Sequence, residues 1–296
     1  MKPPRFAYAV PESLEEALGL LREYGGDAKV LAGGQSLMPM LNLRLLRPSV
    51  LVDINRLPGE DRIEEEDGFL RIGALVRHRQ AVRSPLVRRR LPLLAEAVGQ
   101  IGHPQIRNRG TLCGSVAHAD PAAEIPAVLA ALGGEVLLRS AAGARSVPAE
   151  QFFLGFLTTA LGPEEMVEAI RLPVAPPGSG SAFLEFNRRA GDFAIVGVAA
   201  QLTLDERGRI RAAGLALTGV GGAPFRAGSA EALLRGEAPS EALFARAAER
   251  VAEEVDPEAD IYASAEYRRH LAGVLTRRAL AAAWRRATSG NREGEA

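Results

Sequence analysis

At 296 residues and 47% hydrophobic content, the chain is long enough for two or three packed units with substantial cores. Lys plus Arg and Asp plus Glu balance at 36 each, which excludes recruitment of bulk nucleic acid or an anionic membrane by net charge. The sole cysteine, Cys113, excludes an intrachain disulfide, a four-thiolate zinc site and a cysteine-held iron–sulfur cluster, and His78, His103, His118 and His270 lack metal-ligand spacing. Any redox role therefore needs an organic cofactor on this chain and metal centres, if used, on another.

The N-terminal stretch KPPRFAYAVPESLEEAL has no apolar signal core, and no segment carries 18 uninterrupted apolar residues, so a cytoplasmic protein without a transmembrane segment is expected. Ser13 followed by Glu16 forms a capping box; Leu14, Ala17, Leu18 and Leu21 fall at helical spacing before the stop at Gly25 and Gly26. The run AKVLAGG predicts a buried strand ending in glycine, LVDI at 51–54 a second, and a small βαβ-like unit closes near Leu57. The polar PGEDRIEEEDG reads as a linker and FLRIGA as a hairpin strand. The arginine-rich stretch after it predicts one or two helices whose basic face is either solvated or a docking surface for an acidic partner; without interleaved aromatics it is no nucleic-acid signature.

A second glycine-bearing segment, RNRGTLCGSVAHADPAAEIP, reads as a loop over 107–126, followed by an apolar helix (IPAVLAALGG) and a strand (EVLLRS). The Pro-, Gly- and Ser-dense 172–182 is the best domain boundary. Strand-like runs at 194–204 and 210–220 predict a small antiparallel sheet, three helical stretches follow, and the tail from Ser289 is expected to be disordered.

Glycines at a strand end let successive backbone N–H groups converge on one concavity, and Gln35 and Ser36 add side-chain donors, so AGGQS reads either as an anion cradle or as a tight turn. It matches neither GxGxxG nor GxxxxGK[ST], which removes Rossmann and Walker nucleotide sites. Gly110, Thr111, Gly114 and Ser115 offer a second cradle, and His118, Asp120 and Glu124 have the polarity to bind a sugar-like chain. Read alone, those three also admit a metal site or general-base cluster. Cys113 reads as a low-pKa thiol or a small buried filler, and Phe193 is undecided. There is no GxSxG elbow and no evident acid, base or nucleophile, a pattern that suits a protein whose cofactor carries the chemistry.

Four stretches in order, KVLAGGQSLMPMLNLRL, IRNRGTLCGSVAHADPAAEIPAVL, RRAGDFAIVGVAA and DIYASAEYRRHLAGVLTRRAL, resemble the FAD-binding medium subunits of bacterial molybdenum hydroxylases, the carbon monoxide dehydrogenase and xanthine dehydrogenase family, over about residues 3–287. The resemblance implies an α+β fold of the p-cresol methylhydroxylase/vanillyl-alcohol oxidase type. FAD-binding subdomains at 1–57 and 58–174 would be followed by a C-terminal domain at 178–288, with a three-stranded antiparallel sheet and a helical bundle, and a tail at 289–296. It also implies FAD contacts at Lys29, Val30, Leu31, Ala32, Gly33, Gly34, Gln35, Ser36 and Leu37, and at Thr111, Gly114 and Ser115. His118, Asp120 and Glu124 would lie along the phosphate and ribityl region, and Ile101 and Phe193 against the isoalloxazine, with no catalytic side chain and no metal ligand.

In such a family a large subunit holds the molybdenum-pterin cofactor, a small one carries two two-iron two-sulfur clusters, and the medium chain passes electrons through FAD to an external acceptor, commonly in a dimer of heterotrimers. Cys113 stands where glycine is usual, Ser115 where asparagine is common and Phe193 where tyrosine often sits; the one cysteine excludes the branch that adds a cluster to its flavin subunit. Two rivals to this reading are a self-sufficient flavin oxidoreductase and a non-enzymatic scaffold that has lost FAD.

Overall fold

The computed structural model describes residues 1–293. Three sheets follow one another along the chain. The first is parallel, with Val50–Asp53 between Ala7–Ala9 and Ala28–Leu31. Helix Leu14–Tyr24 covers it, Ser13 accepting the Glu16 N–H at its start, and buries Ala17, Leu18 and Leu21. Ala7–Ala9 is an edge strand of three residues with no periodicity of its own, so sequence reasoning missed it.

The second sheet is antiparallel and five-stranded, ordered Ile63–Glu66, Phe69–Gly73, Met166–Pro173, Glu135–Ser140, Gly143–Pro148. Ile63–Glu66 lies within the expected linker: only Ile63 is apolar, as an exposed edge strand allows, and a turn with positive φ at Asp67 and Gly68 folds it onto Phe69–Gly73. The arginine-rich stretch forms three short helices, His78–Arg83, Pro85–Arg90 and Pro92–Gln100, two of them begun by the proline that fits a first helical turn.

The C-terminal sheet has the three long antiparallel strands expected, Ser179–Phe186, Val196–Leu204 and Ile210–Thr218, plus a two-residue edge strand, Phe225–Arg226. Along Val196–Leu202 the side chains alternate between the two faces. Val196, Val198, Ala200 and Leu202 face helices Gly228–Leu234, Glu241–Glu254 and Ala265–Glu293, whereas Ala199 and Ala216 join the core of the second sheet. The core thus runs across the 172–182 segment although the strands do not. Arg286 on the last helix and the backbone N–H of Phe183 share Glu96 from Pro92–Gln100, a second tie across the same seam. That last helix continues through the start of the expected tail, and residues 294–296 lie outside the described residues.

Within the motif DIYASAEYRR, Asp260 accepts the N–H groups of Tyr262 and Ala263 and pairs with Arg268, whose Nη1 also donates to the carbonyls of Ile195 and Gly219. This stretch is structural: it pins the ends of two strands of the C-terminal sheet. No helix among the described residues is long and apolar enough to cross a membrane.

Candidate cofactor-binding site

Strand Ala28–Leu31 stops where Gly34 takes φ +71°, a conformation that favours glycine, and the chain then enters helix Leu37–Asn42. Among the described residues, the backbone N–H groups at 33–37 make no hydrogen bond within the chain, leaving five consecutive donors on one short turn. Gln35 turns its amide back to the Gly33 carbonyl at 3.1 Å, so that side chain braces the turn. Such a run of free N–H groups opening into a helix is an anion-binding concavity.

The second segment is a helix start rather than a loop. Pro104–Arg109 is helical; after Gly110, Thr111 caps Leu112–His118, its hydroxyl accepting the Gly114 N–H at 3.1 Å. A Cβ at Gly114 would stand 2.5 Å from that hydroxyl, so glycine is needed to keep the cap. The stretch is pinned from behind by the 76–78 backbone. His78 N–H donates to Gly110 O at 3.0 Å, Leu112 N–H to Val76 O at 3.1 Å, and His78 Nε2 donates to Thr111 O at 3.0 Å.

Burial pushes the His78 imidazole down to about 4, so it stays neutral at pH 7. The folded value lies below the unfolded one, so the stability His78 contributes is complete above about pH 6.5 and is lost as pH falls toward 4. In urea unfolding, the free-energy difference between native protein and His78→Gln should change by about 3 kcal/mol between pH 7 and pH 4. A constant difference would mean that the His78 imidazole takes up its proton as readily in the folded chain as in the unfolded one.

The two segments touch. A Cβ on Gly33 would stand 2.5 Å from Arg109 O and 2.8 Å from the Gly110 Cα, so the first turn lies directly on the second. Beneath and beside them opens a cavity of about 730 Å³, the size of a small-molecule or cofactor site. Lys29, Val30, Ala32, Gly33, Gly34, Gln35, Ser36 and Leu37 line it together with Ile101, Thr111, Gly114, Ser115, His118, Asp120, Glu124 and Phe193. Leu31, the remaining predicted contact, is not in the lining; its Cδ1 would lie 3.1 Å from a Cβ on Gly34, supporting the turn from behind.

Sequence reasoning missed the wall formed by residues 157–165, where Leu157, with φ +50°, closes the small hairpin of Phe153–Gly155 and Thr158–Thr159. Its only local signal was the threonine pair after LGFL. It also missed Met40, Leu46 and Ile106, apolar residues that read as core.

Burial, with Glu185 nearby, pushes the Glu124 carboxyl up to about 8, so at neutral pH it presents a proton to the cavity. The Asp120–Glu124 stretch is held by the C-terminal domain: Gly219 N–H and the Thr218 hydroxyl both donate to Pro121 O, at 2.8 and 2.5 Å. Phe193 is 63% exposed at the cavity mouth and so is not ordinary core, and Gly191 beside it abuts His103, where a Cβ would fall 2.6 Å from the ring. Cys113 is buried, its thiol pushed up to about 12 by desolvation; it is a filler, not a nucleophile. Among the described residues, no group of three or more His, Cys, Asp or Glu side chains could hold a metal ion.

Residues 4–175 match the family described as FAD binding domain in molybdopterin dehydrogenase, and residues 181–283 match the CO dehydrogenase flavoprotein C-terminal domain. The chain is 45% identical to the 6-hydroxypseudooxynicotine dehydrogenase complex subunit alpha of Paenarthrobacter nicotinovorans, covering 97% of both chains. It is 40% identical to the carbon monoxide dehydrogenase medium chain of Hydrogenophaga pseudoflava over 97% of this chain and 99% of that one. A chain in a solved structure of carbon monoxide dehydrogenase from the same organism superposes with a TM-score of 0.94 at 42% identity, covering 97% of this chain and 99% of that chain. A chain of quinoline 2-oxidoreductase from Pseudomonas putida 86 gives 0.91 at 38% identity, covering 98% and 99%. With both regions matched and relatives aligned along nearly their whole length, the chain belongs to the FAD-binding medium subunits of the molybdenum hydroxylase family.

Proposed function

We propose that this chain is the FAD-bearing subunit of a cytoplasmic, heterotrimeric molybdenum hydroxylase assembled as a dimer of heterotrimers. It would receive electrons from iron–sulfur clusters on a small partner, while a large partner oxidises substrate at a molybdenum–pterin. It would then pass them to an external acceptor. The observation that carries this reading is the run of five free N–H groups at 33–37 packed against the Thr111-capped helix start, both opening into one cavity.

The donor set fits the cofactor. Residues 33–37 offer free backbone N–H groups for a diphosphate, and Ser115 on the second wall adds a hydroxyl. Protonated Glu124, with Asp120 and His118, offers donors and acceptors for a polyhydroxyl chain, and Ile101 and Phe193 offer apolar surface for a flat ring. Ser115 keeps a hydroxyl with shorter reach than asparagine; Phe193 keeps a ring face without the phenol. When bound, FAD supplies a redox centre able to take single electrons and deliver pairs. The chain's own part is to hold that group, to keep a neutral carboxyl at its polar flank and to leave one edge reachable at the Phe193 mouth. The relatives' names carry different substrates on one medium-chain fold, so the substrate is chosen by another subunit.

The test is the visible spectrum of the protein purified with its co-expressed partners, followed by chromatographic identification of released flavin. Stoichiometric FAD, reduced when substrate is offered to the assembled complex, is the expected result. A well-folded complex without flavin would leave only a scaffold role. Steady turnover of a small organic substrate by this chain alone would favour a self-sufficient oxidoreductase.

A further inference from the structure

Behind the two cavity walls runs a chain of hydrogen bonds that no cavity-lining side chain enters. Asn55, just past strand Val50–Asp53, donates from Nδ2 to the Ala32 carbonyl at 2.9 Å, at the root of the first glycine turn. Its own position is fixed by Asp53, whose Oδ1 accepts the Asn55 N–H at 2.9 Å and whose Oδ2 accepts the Tyr8 hydroxyl. The Asn55 Oδ1 accepts from Arg77 Nη2, and Arg77 Nη1 donates to the carbonyl of Arg109. That carbonyl is the atom a Cβ on Gly33 would strike. One guanidinium therefore closes a loop from Ala32 through Asn55 to Arg109, joining the end of the first sheet to the end of helix Pro104–Arg109.

The electrostatics do not favour a cation there for its own sake. Burial, and then the neighbouring Arg109, hold Arg77 below the usual arginine range. A planar fork that reaches two acceptors at once is the property an arginine supplies and a lysine lacks.

We infer that Arg77 and Asn55 are positioning residues that fix the spacing of the two glycine-bearing walls, and thereby the affinity for a diphosphate-bearing cofactor. The part concerning affinity rests on the flavin reading; the part concerning spacing does not. Neither residue lines the cavity, so each acts through Ala32 and Arg109.

Two measurements test this on the purified protein, with any co-purifying subunits, after flavin is stripped. The first is hydrogen exchange at the hydrogen-bonded amides that hold each segment in place, Ile54 and Met38 for the first and Gly110 and Leu112 for the second. Arg77→Met should speed exchange in both segments by about tenfold or more, with melting of the flavin-free protein little changed. The second is FAD titration by fluorescence quenching. Arg77→Met, Arg77→Lys and Asn55→Leu should each raise the dissociation constant about 10- to 100-fold, and the Arg77→Met/Asn55→Leu double variant should be no worse than the poorer single. Native affinity in Arg77→Lys would show that charge rather than the bridge matters, and additive losses would show independent roles; either overturns the inference. If the native protein takes up no FAD yet exchange rises in both segments, the flavin reading fails while the clamp stands. Unchanged exchange overturns the clamp itself.

Discussion

Gly33→Ala is expected to abolish tight flavin binding while leaving most of the chain folded. The added carbon would lie 2.5 Å from Arg109 O and 2.8 Å from the Gly110 Cα, and both are backbone atoms that no rotamer change can move aside. Relief requires the first turn to lift off the second, which separates the free N–H groups at 33–37 from the Thr111-capped helix start. Overpacking of this kind costs about 1–3 kcal/mol in stability. A comparable loss in binding free energy would weaken FAD by about 10- to 100-fold. Gly34→Ala is the control: its strain is conformational, from φ +71°, and the atoms its Cβ meets at 3.1 and 3.3 Å are side-chain atoms, Leu31 Cδ1 and Met38 Cγ. It should cost about 1 kcal/mol. Gly99→Ala, on a helix with nothing within 4 Å, should leave flavin affinity unchanged and raise stability by about 0.5–1 kcal/mol. Isothermal titration of FAD into the flavin-stripped variants measures all three. If Gly33→Ala bound as tightly as Gly99→Ala, contact between the walls would have no part in holding the cofactor.

Much of this site was legible because its physics is local. A buried strand ended by two glycines announces a turn with free donors, and AGGQS could be read as a cradle or a turn from five residues. The second wall was read as a loop because glycines at 110 and 114 and the polar residues around them, Arg107 to Arg109 and Ser115, imitate one. The Thr111 cap that turns the stretch into a helix has no Glu three residues on to reveal it. What escaped entirely is what depends on distant partners. Ala7–Ala9 is a strand only because Val50–Asp53 lies beside it, and Ile63–Glu66 only because Phe69–Gly73 folds back on it. The Asn55–Arg77–Arg109 bridge joins three points that no periodicity connects. The resemblance supplied the cofactor and the partners; neither follows from spacing.

Gly214→Val should unsettle both the fold and the site, although Gly214 is not among the cavity-lining residues. It lies on the inner face of strand Ile210–Thr218, where Ala216 joins the core shared with the second sheet. A Cβ there would fall 2.1 Å from Ala131 O, a backbone atom in the last turn of helix Glu124–Leu132. That helix is buried along its whole length, so it cannot slide outward without opening the core on its far side. The cost is about 3 kcal/mol, a fall of roughly 5 °C in melting midpoint for a chain of this size. The other end of the same helix carries Glu124, and the preceding turn is tied through Pro121 O to Gly219 and Thr218 on the same strand's end. A rigid helix pushed at Ala131 but anchored at Pro121 tilts, and the tilt moves the Glu124 carboxyl in the cavity. Flavin affinity should therefore fall together with the melting midpoint. Gly208→Ala, in a surface turn at φ +74° with nothing within 4 Å, should lower stability by about 1 kcal/mol and leave flavin untouched. A Gly214→Val protein that melts early yet binds FAD normally would mean that the C-terminal sheet stabilises the flavin domain without shaping its site. Parallel losses would make that sheet part of the binding machinery, acting through one buried helix.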